Sequence, residues 1–174
     1  MLNAQEYQAK VTRIEDLTYD IKLIEFSLND HKVVKFKPGQ YMQFMIPGTT
    51  EFRAYSIASL PAEHTKIEFF IRKVPNGICS TYIHEKLAVG DEITLTGPYG
   101  DFYLQETAND VVCVAGGVGV PPLRSIINHL FNNQTNRKVF YFFGARSMKD
   151  LYYHEEALAL AKKFSNFVYI PALS

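Results

Sequence analysis

At about Thr107 the hydrophobic rhythm of the chain changes, and this limits the fold more than any other feature of its 174 residues. Before that point, apolar residues alternate in short runs broken roughly every ten residues by Pro, Gly or Asp, the pattern of antiparallel strands with one buried face. After it, Asp110-Val-Val-Cys-Val-Ala115 is a continuous apolar run, as expected for a strand of a parallel sheet covered on both faces. The two rhythms imply two units, residues 1–106 and 107–174, built around different kinds of sheet.

In the first unit the alternation predicts strands over Gln8–Ile14, Ile21–Leu28, Tyr41–Ile46, Phe52–Ser56, Lys66–Lys73 and Asp91–Thr96, separated by Asp16–Asp20, Pro38-Gly39, Pro47-Gly48 and Leu60-Pro61. Six such strands suit a small antiparallel Greek-key barrel. One helix, about Ser80–Leu87, follows Pro75-Asn-Gly77, with Ser80 as its expected N-cap. Free amides and a partial positive charge make such a helix start a place for a phosphate. Gly97-Pro-Tyr-Gly-Asp-Phe102 reads as a glycine-bounded loop leaving the barrel.

In the second unit the apolar run leads into Gly116-Gly-Val-Gly119 and a helix from Val120 to about Leu130, whose Pro121 and Pro122 suit a first turn that needs no N–H partner. Strand Lys138–Gly144, helix Lys149–Lys163 and strand Phe167–Pro171 complete βαβαβ, hence a partial parallel α/β, Rossmann-like domain with right-handed crossovers. A glycine turn between first strand and helix is a dinucleotide phosphate site in principle. It is not Gly-x-Gly-x-x-Gly, and no Gly-Lys-Ser/Thr follows that would make a P-loop.

The stretch Glu51-Phe-Arg-Ala-Tyr-Ser56 places a cation, a ring and a hydroxyl close together on a strand. Alternation puts Arg53 and Tyr55 on one face. A guanidinium suits phosphate, a phenol ring offers a flat surface, and a serine both donates and accepts hydrogen bonds. The set suits a flavin nucleotide; on these residues alone, an ordinary strand with Tyr55 in the core and Arg53 in solvent stays open.

Composition removes other classes. Lys plus Arg and Asp plus Glu both number 18, so the chain lacks the basic surplus of a nucleic-acid binder. No apolar run reaches the roughly 20 residues of a membrane span, and the start lacks the pattern of a signal peptide, so a cytoplasmic protein is expected. Two cysteines, Cys79 and Cys113, cannot supply the four thiolates of a ferredoxin-type cluster. Free thiols and no metal site are expected.

Arg53-Ala-Tyr-Ser56, Gly77-Ile-Cys-Ser80, Gly97-Pro-Tyr-Gly100, Gly116-Gly-Val-Gly-Val-Pro121 and Phe143-Gly-Ala-Arg146 resemble, in order and spacing, the ferredoxin-NADP reductase superfamily. Nearly the whole chain is covered, and it looks most like the reductase components of bacterial phenol and toluene monooxygenases. The resemblance implies FAD and NAD(P)H as cofactors. It implies that Arg53 pairs with the FAD pyrophosphate, that Tyr55 packs on the isoalloxazine and that Ser56 bonds near flavin N5, which makes Tyr55 and Ser56 the catalytic pair. Ala54 and Cys79 belong to the same site by this resemblance. Ile71, Arg72 and Val74 would meet the ring edge through their backbone, while Gly77 and Ser80 hold phosphate. Gly116, Gly117, Gly119 and Pro121 would form the nicotinamide nucleotide site, and Arg146 would lie by the adenosine end.

The activity so implied is hydride transfer from NAD(P)H to FAD, followed by single electrons to an iron-sulfur or haem protein. A flavin-binding relay that never oxidises NAD(P)H productively, and a barrel that binds no flavin and serves assembly, are the rival classes. The resemblance departs at Val118 and at the doubled proline. The family's Cys-Gly-Pro-Pro segment does not occur before Ser174. A piece of a longer reductase, or a homodimer or partner chain shielding the expected edge strand 111–115, is therefore anticipated.

Overall fold

The computed structural model describes residues 4–29, 33–63 and 65–174. The first sheet contains β1 (Gln5–Asp16), β2 (Ile21–Leu28), β3 (Tyr41–Met45), β4 (Phe52–Ser56), β5 (Lys66–Arg72) and β6 (Glu92–Tyr99), with α1 (Ile78–Glu85) between β5 and β6. Its order is β4-β3-β6-β1-β2-β5, every pairing antiparallel. The two outer strands nearly meet: Ile57 bridges Phe69 just beyond β4, and Ala58 N–H donates to the Glu68 carbonyl at 2.8 Å. The sheet thus closes into a barrel, and the side chains at alternate positions of β2 and β5 fill it. Phe26, fully buried, meets Phe44 and Phe69 edge-on at 6.0 and 5.9 Å between centroids, a geometry aromatic quadrupoles favour.

The second sheet is parallel, in the order β7 (Val111–Gly116), β8 (Val139–Ala145), β9 (Phe167–Leu173), crossed by α2 (Val120–Asn132) and α3 (His154–Lys163). β7 is an edge, with Cys113 buried while Val112 and Val114 are 64% and 72% exposed. The two sheets share a core, in which Ile21, Leu23, Ala58 and Phe70 of the barrel pack with Leu123, Ile127, Phe143 and Tyr152. Among the described residues no helix is long and apolar enough to cross a membrane.

Three elements differ from the sequence reading. The expected loop after Thr96 is instead strand: β6 continues through Gly97-Pro98 to Tyr99, which pairs with Tyr41 of β3, because a second neighbouring strand is there to accept it. α1 starts at Ile78 with Gly77 as its cap residue, so Ser80 sits inside the first turn and is not the N-cap. α3 starts only at His154, and Lys149 lies in a separate short 3-10 turn. Tyr153 interrupts the two with a left-handed φ of 59°, a conformation that ends helical continuity. Its ring is stacked on Phe70 at 5.2 Å, which holds it in place.

Candidate functional site

β4 is paired on one side only, by β3, so Arg53-Ala54-Tyr55-Ser56 lines an open rim of the barrel. Arg53 is 47% exposed and meets Glu51 at 2.9 Å, an exposed pair of the kind worth about 0–1 kcal/mol, so its guanidinium is readily given to a stronger anion. Tyr55 is half-buried, with its ring against Phe44 and Phe69, both at 6.5 Å. Burial pushes its hydroxyl up, and a hydrogen bond with Cys79 adds to this, while the Arg53 cation pulls the other way. Burial also raises the Cys79 thiol, against the Tyr55 bond and Arg53. Arg53, Tyr55 and Cys79 therefore cluster in space although 24 or more residues separate Cys79 from the others in sequence. The Cys79 side chain is buried within the barrel core, which leaves only its backbone to meet a ligand.

The first turn of α1 carries no acidic residue and no side-chain cap. Ser80 turns back: its hydroxyl accepts from the Val74 N–H at 3.1 Å and reaches the Gly77 carbonyl at 3.2 Å, tying down the Val74–Gly77 turn. A Cβ at Gly77 would lie 2.6 Å from Ser80 Oγ and 3.1 Å from the Val74 carbonyl, so only glycine lets the turn close this tightly. A cleft of about 730 Å³ opens at this helix start, lined by Val74, Gly77, Ile78 and Thr81. An available cation, an uncapped helix start and a glycine-only turn fit the phosphates of FAD. His84 holds the neighbouring strand end, donating through Nε2 to the Ile71 carbonyl at 2.9 Å.

A second cleft, of about 570 Å³, lies between the two sheets and is lined by Asp20, Arg72, Gly116, Gly117, Gly144 and Arg146 among others. A Cβ at Gly116 would meet the Gly144 carbonyl at 2.8 Å; Gly117, at φ +49°, brings its backbone against Arg72. Arg72 Nε stands 3.2 Å from Asp20 Oδ2 but out of line for a hydrogen bond, and among the described residues this buried N–H has no partner. Tyr152 donates its hydroxyl to the Gly117 carbonyl. Arg146 is held by Tyr19 and, at 3.8 Å, by Asp150. α2 starts on Gly119 with no side-chain cap. The Arg72 guanidinium over Gly117, beside the close-packed Gly116, fits the phosphates of a nicotinamide nucleotide. Gly119 and Pro121 stand apart from this wall: the Cβ position of Gly119 is nearly open, and Pro121 is buried in the base of α2.

A family model described as an oxidoreductase FAD-binding domain matches residues 8–103, and one described as an oxidoreductase NAD-binding domain matches residues 113–174. The chain belongs to the ferredoxin-NADP reductase family. It is 37% identical over 171 residues to the reductase component of propane 2-monooxygenase from Rhodococcus jostii strain RHA1, covering 98% of this chain and 46% of that protein. With the phenol hydroxylase P5 protein of Acinetobacter pittii strain PHEA-2 it shares 39% identity, over 98% and 48% of the two chains. The crystal structure of Amycolatopsis cytochrome P450 reductase GcoB superposes with a TM-score of 0.91 at 28% identity, covering 98% of this chain and 52% of that one. The chain thus spans about half the length of the curated relatives it matches.

Of the residues singled out in the sequence, Val74 and Gly77 line the first cleft and Arg72, Gly116, Gly117 and Arg146 the second, and Arg72, expected to act through its backbone, places its guanidinium in the cleft wall. Sequence reasoning passed over Asp20, Tyr19 and Tyr152 altogether. Thr18-x-Asp20 carries a local signal, since the Thr18 hydroxyl accepts from the Asp20 and Ile21 N–H groups in a polar turn, but nothing local shows that this turn faces β7. Tyr152 carries no such signal, because its partner Gly117 is 35 residues away.

Proposed function

We propose that this chain is the flavin-binding and nucleotide-binding part of an FAD-dependent NAD(P)H reductase that serves an iron-sulfur or haem protein in a monooxygenase or dioxygenase system. When bound, FAD supplies the chemistry, taking a hydride from NAD(P)H and releasing electrons singly. The chain's own residues orient the two nucleotides. Arg53 and the start of α1 anchor the FAD pyrophosphate; Ala54, Tyr55 and the backbone of Ile71 to Val74 shape the ring site. Ser56, half-buried at the end of β4, offers the reacting edge its hydroxyl. Gly116, Gly117 and the Arg72 guanidinium receive the dinucleotide, with Gly119, Pro121 and Arg146 around them.

The observation that carries the reading is the second cleft, where barrel residue Arg72 stands directly over Gly117 of the nucleotide turn. That approach sets the expected flavin strand β5 beside the expected nucleotide turn. The names of the relatives support the class of acceptor: a P450 reductase points to haem, and an anthranilate 1,2-dioxygenase electron transfer component to oxygenase systems. A unit boundary near residue 106 and a cytoplasmic location belong to the same proposal, as does a partner or second copy along the β7 edge. Light scattering of a monomer at all concentrations would remove the second copy.

The test is anaerobic. Purified chain loaded with FAD is yellow, and NADH or NADPH should bleach its absorbance near 450 nm; a yellow protein that neither nucleotide bleaches would leave a flavin relay and not a reductase.

A further inference from the structure

α2 carries the nucleotide turn at its N-terminus, and β5 ends at the residues assigned to the flavin edge. One side chain joins them. Arg124 of α2 donates through Nη1 to Glu68 of β5 at 2.8 Å and to the Ala58 carbonyl at 3.0 Å, and through Nε and Nη2 to Glu156 of α3, both at 3.2 Å. Its guanidinium also lies 4.4 Å from the Tyr153 ring centroid. Arg124 and Glu68 are 16% and 12% exposed, so the pair is screened little by solvent. Next to it Ser125 donates to the Ser59 carbonyl at 2.8 Å, and Asn128 steadies Glu156 at 3.1 Å. Burial pushes the Glu68 carboxyl up, and the Arg124 cation draws it down.

We propose that Arg124 is a positioning residue for hydride transfer, fixing the nucleotide turn at the head of α2 relative to the flavin-binding strand β5. This rests on the reading of the two clefts given above. Arginine is required because its planar fork serves Glu68, Ala58 and Glu156 together, while lysine offers a point charge on a flexible stem. The residue lines neither of the clefts assigned to the two cofactors. Its effect is on the distance between them, and a misplacement of about 1 Å can cost roughly 10²-fold in rate.

The experiment compares wild type with Arg124→Lys, and with Glu68→Gln should the lysine variant not fold. Nitroxide labels at exposed Lys10 on β1 and Asn132 on α2 report the distance between the barrel and α2 by pulsed electron paramagnetic resonance. In the FAD-loaded proteins, stopped flow then compares reduction by NADH with reduction by dithionite. The proposal expects a broadened distance distribution and roughly 10- to 100-fold slower reduction by NADH, with dithionite reduction unchanged. A merely structural role would lower the melting temperature and leave both readouts alone. A distribution as narrow as wild type, or an unchanged NADH rate, overturns the proposal. Should NADH fail to reduce even the wild type, the reductase reading falls, and the label distances alone decide the inference.

Discussion

Replacing Gly117 with Ala probes how the nucleotide turn is built. At φ +49° a side chain costs about 1 to 2 kcal/mol, the left-handed penalty of an L-residue. The new Cβ would also stand 2.5 Å from Arg72 Nη2, so the guanidinium must swing away. That movement is open to a long side chain, but it breaks the pairing of Arg72 with Asp20 at 3.2 Å. With Arg72 40% exposed the pairing is worth about 0 to 1 kcal/mol. The total is about 1 to 3 kcal/mol, and at about 2 to 4 °C per kcal/mol for a chain of this size the melting temperature should fall by roughly 2 to 12 °C. Scanning calorimetry of Gly117→Ala, Arg72→Ala and the double variant separates the terms. In the Arg72→Ala background only the backbone penalty remains, so Gly117→Ala should cost up to about 1 kcal/mol less there than in wild type. A larger cost of Gly117→Ala in the Arg72→Ala background than in wild type would refute the close approach, and a Gly117→Ala protein as stable as wild type would refute both terms.

Burial pushes the Cys113 thiol up to about 11 and raises that of Cys79. Ellman's reagent at pH 8 should therefore modify neither in the native protein within minutes but both in guanidinium; one rapidly reacting native thiol contradicts their placement. Burial lowers the His129 pKa below its ordinary 6.5, so the unfolded chain takes up the proton first and stability falls as the pH drops through 6.5. Melting curves between pH 7.5 and 5.5 should show a shallower fall in His129→Gln, and equal slopes in the two proteins would contradict that burial.

Much of this arrangement was legible because its signals are local. Alternation in Ile67, Phe69 and Ile71 announces a half-buried strand, and the apolar run of Val111 to Ala115 followed by glycines announces a parallel one. Arg53 and Tyr55 could be placed on one face from spacing alone. What could not be read depends on neighbours distant in sequence. β6 extends to Tyr99 because β3 lies beside it, and Tyr153 breaks a good helical pattern because Phe70 captures its ring. The Ser80 hydroxyl caps the Val74 turn in preference to its own helix, a choice of geometry that the residue type leaves open. Arg124 looks like a solvated helix residue until Glu68, 56 positions earlier, is seen opposite it.

The most direct measurement of the central claim is a titration of the flavin-free chain with FAD, followed by quenching of flavin fluorescence, in wild type and Arg53→Ala. Because Arg53 is exposed and held only locally, by Glu51 at 2.9 Å and the Phe52 carbonyl at 2.7 Å, its loss should leave folding intact and remove one charge-assisted contact, worth about 1.5 to 3 kcal/mol. The account predicts that Arg53→Ala melts within about 1 °C of wild type and binds FAD with a Kd roughly 10- to 150-fold higher; an unchanged Kd, or no FAD binding by the wild type, would contradict it.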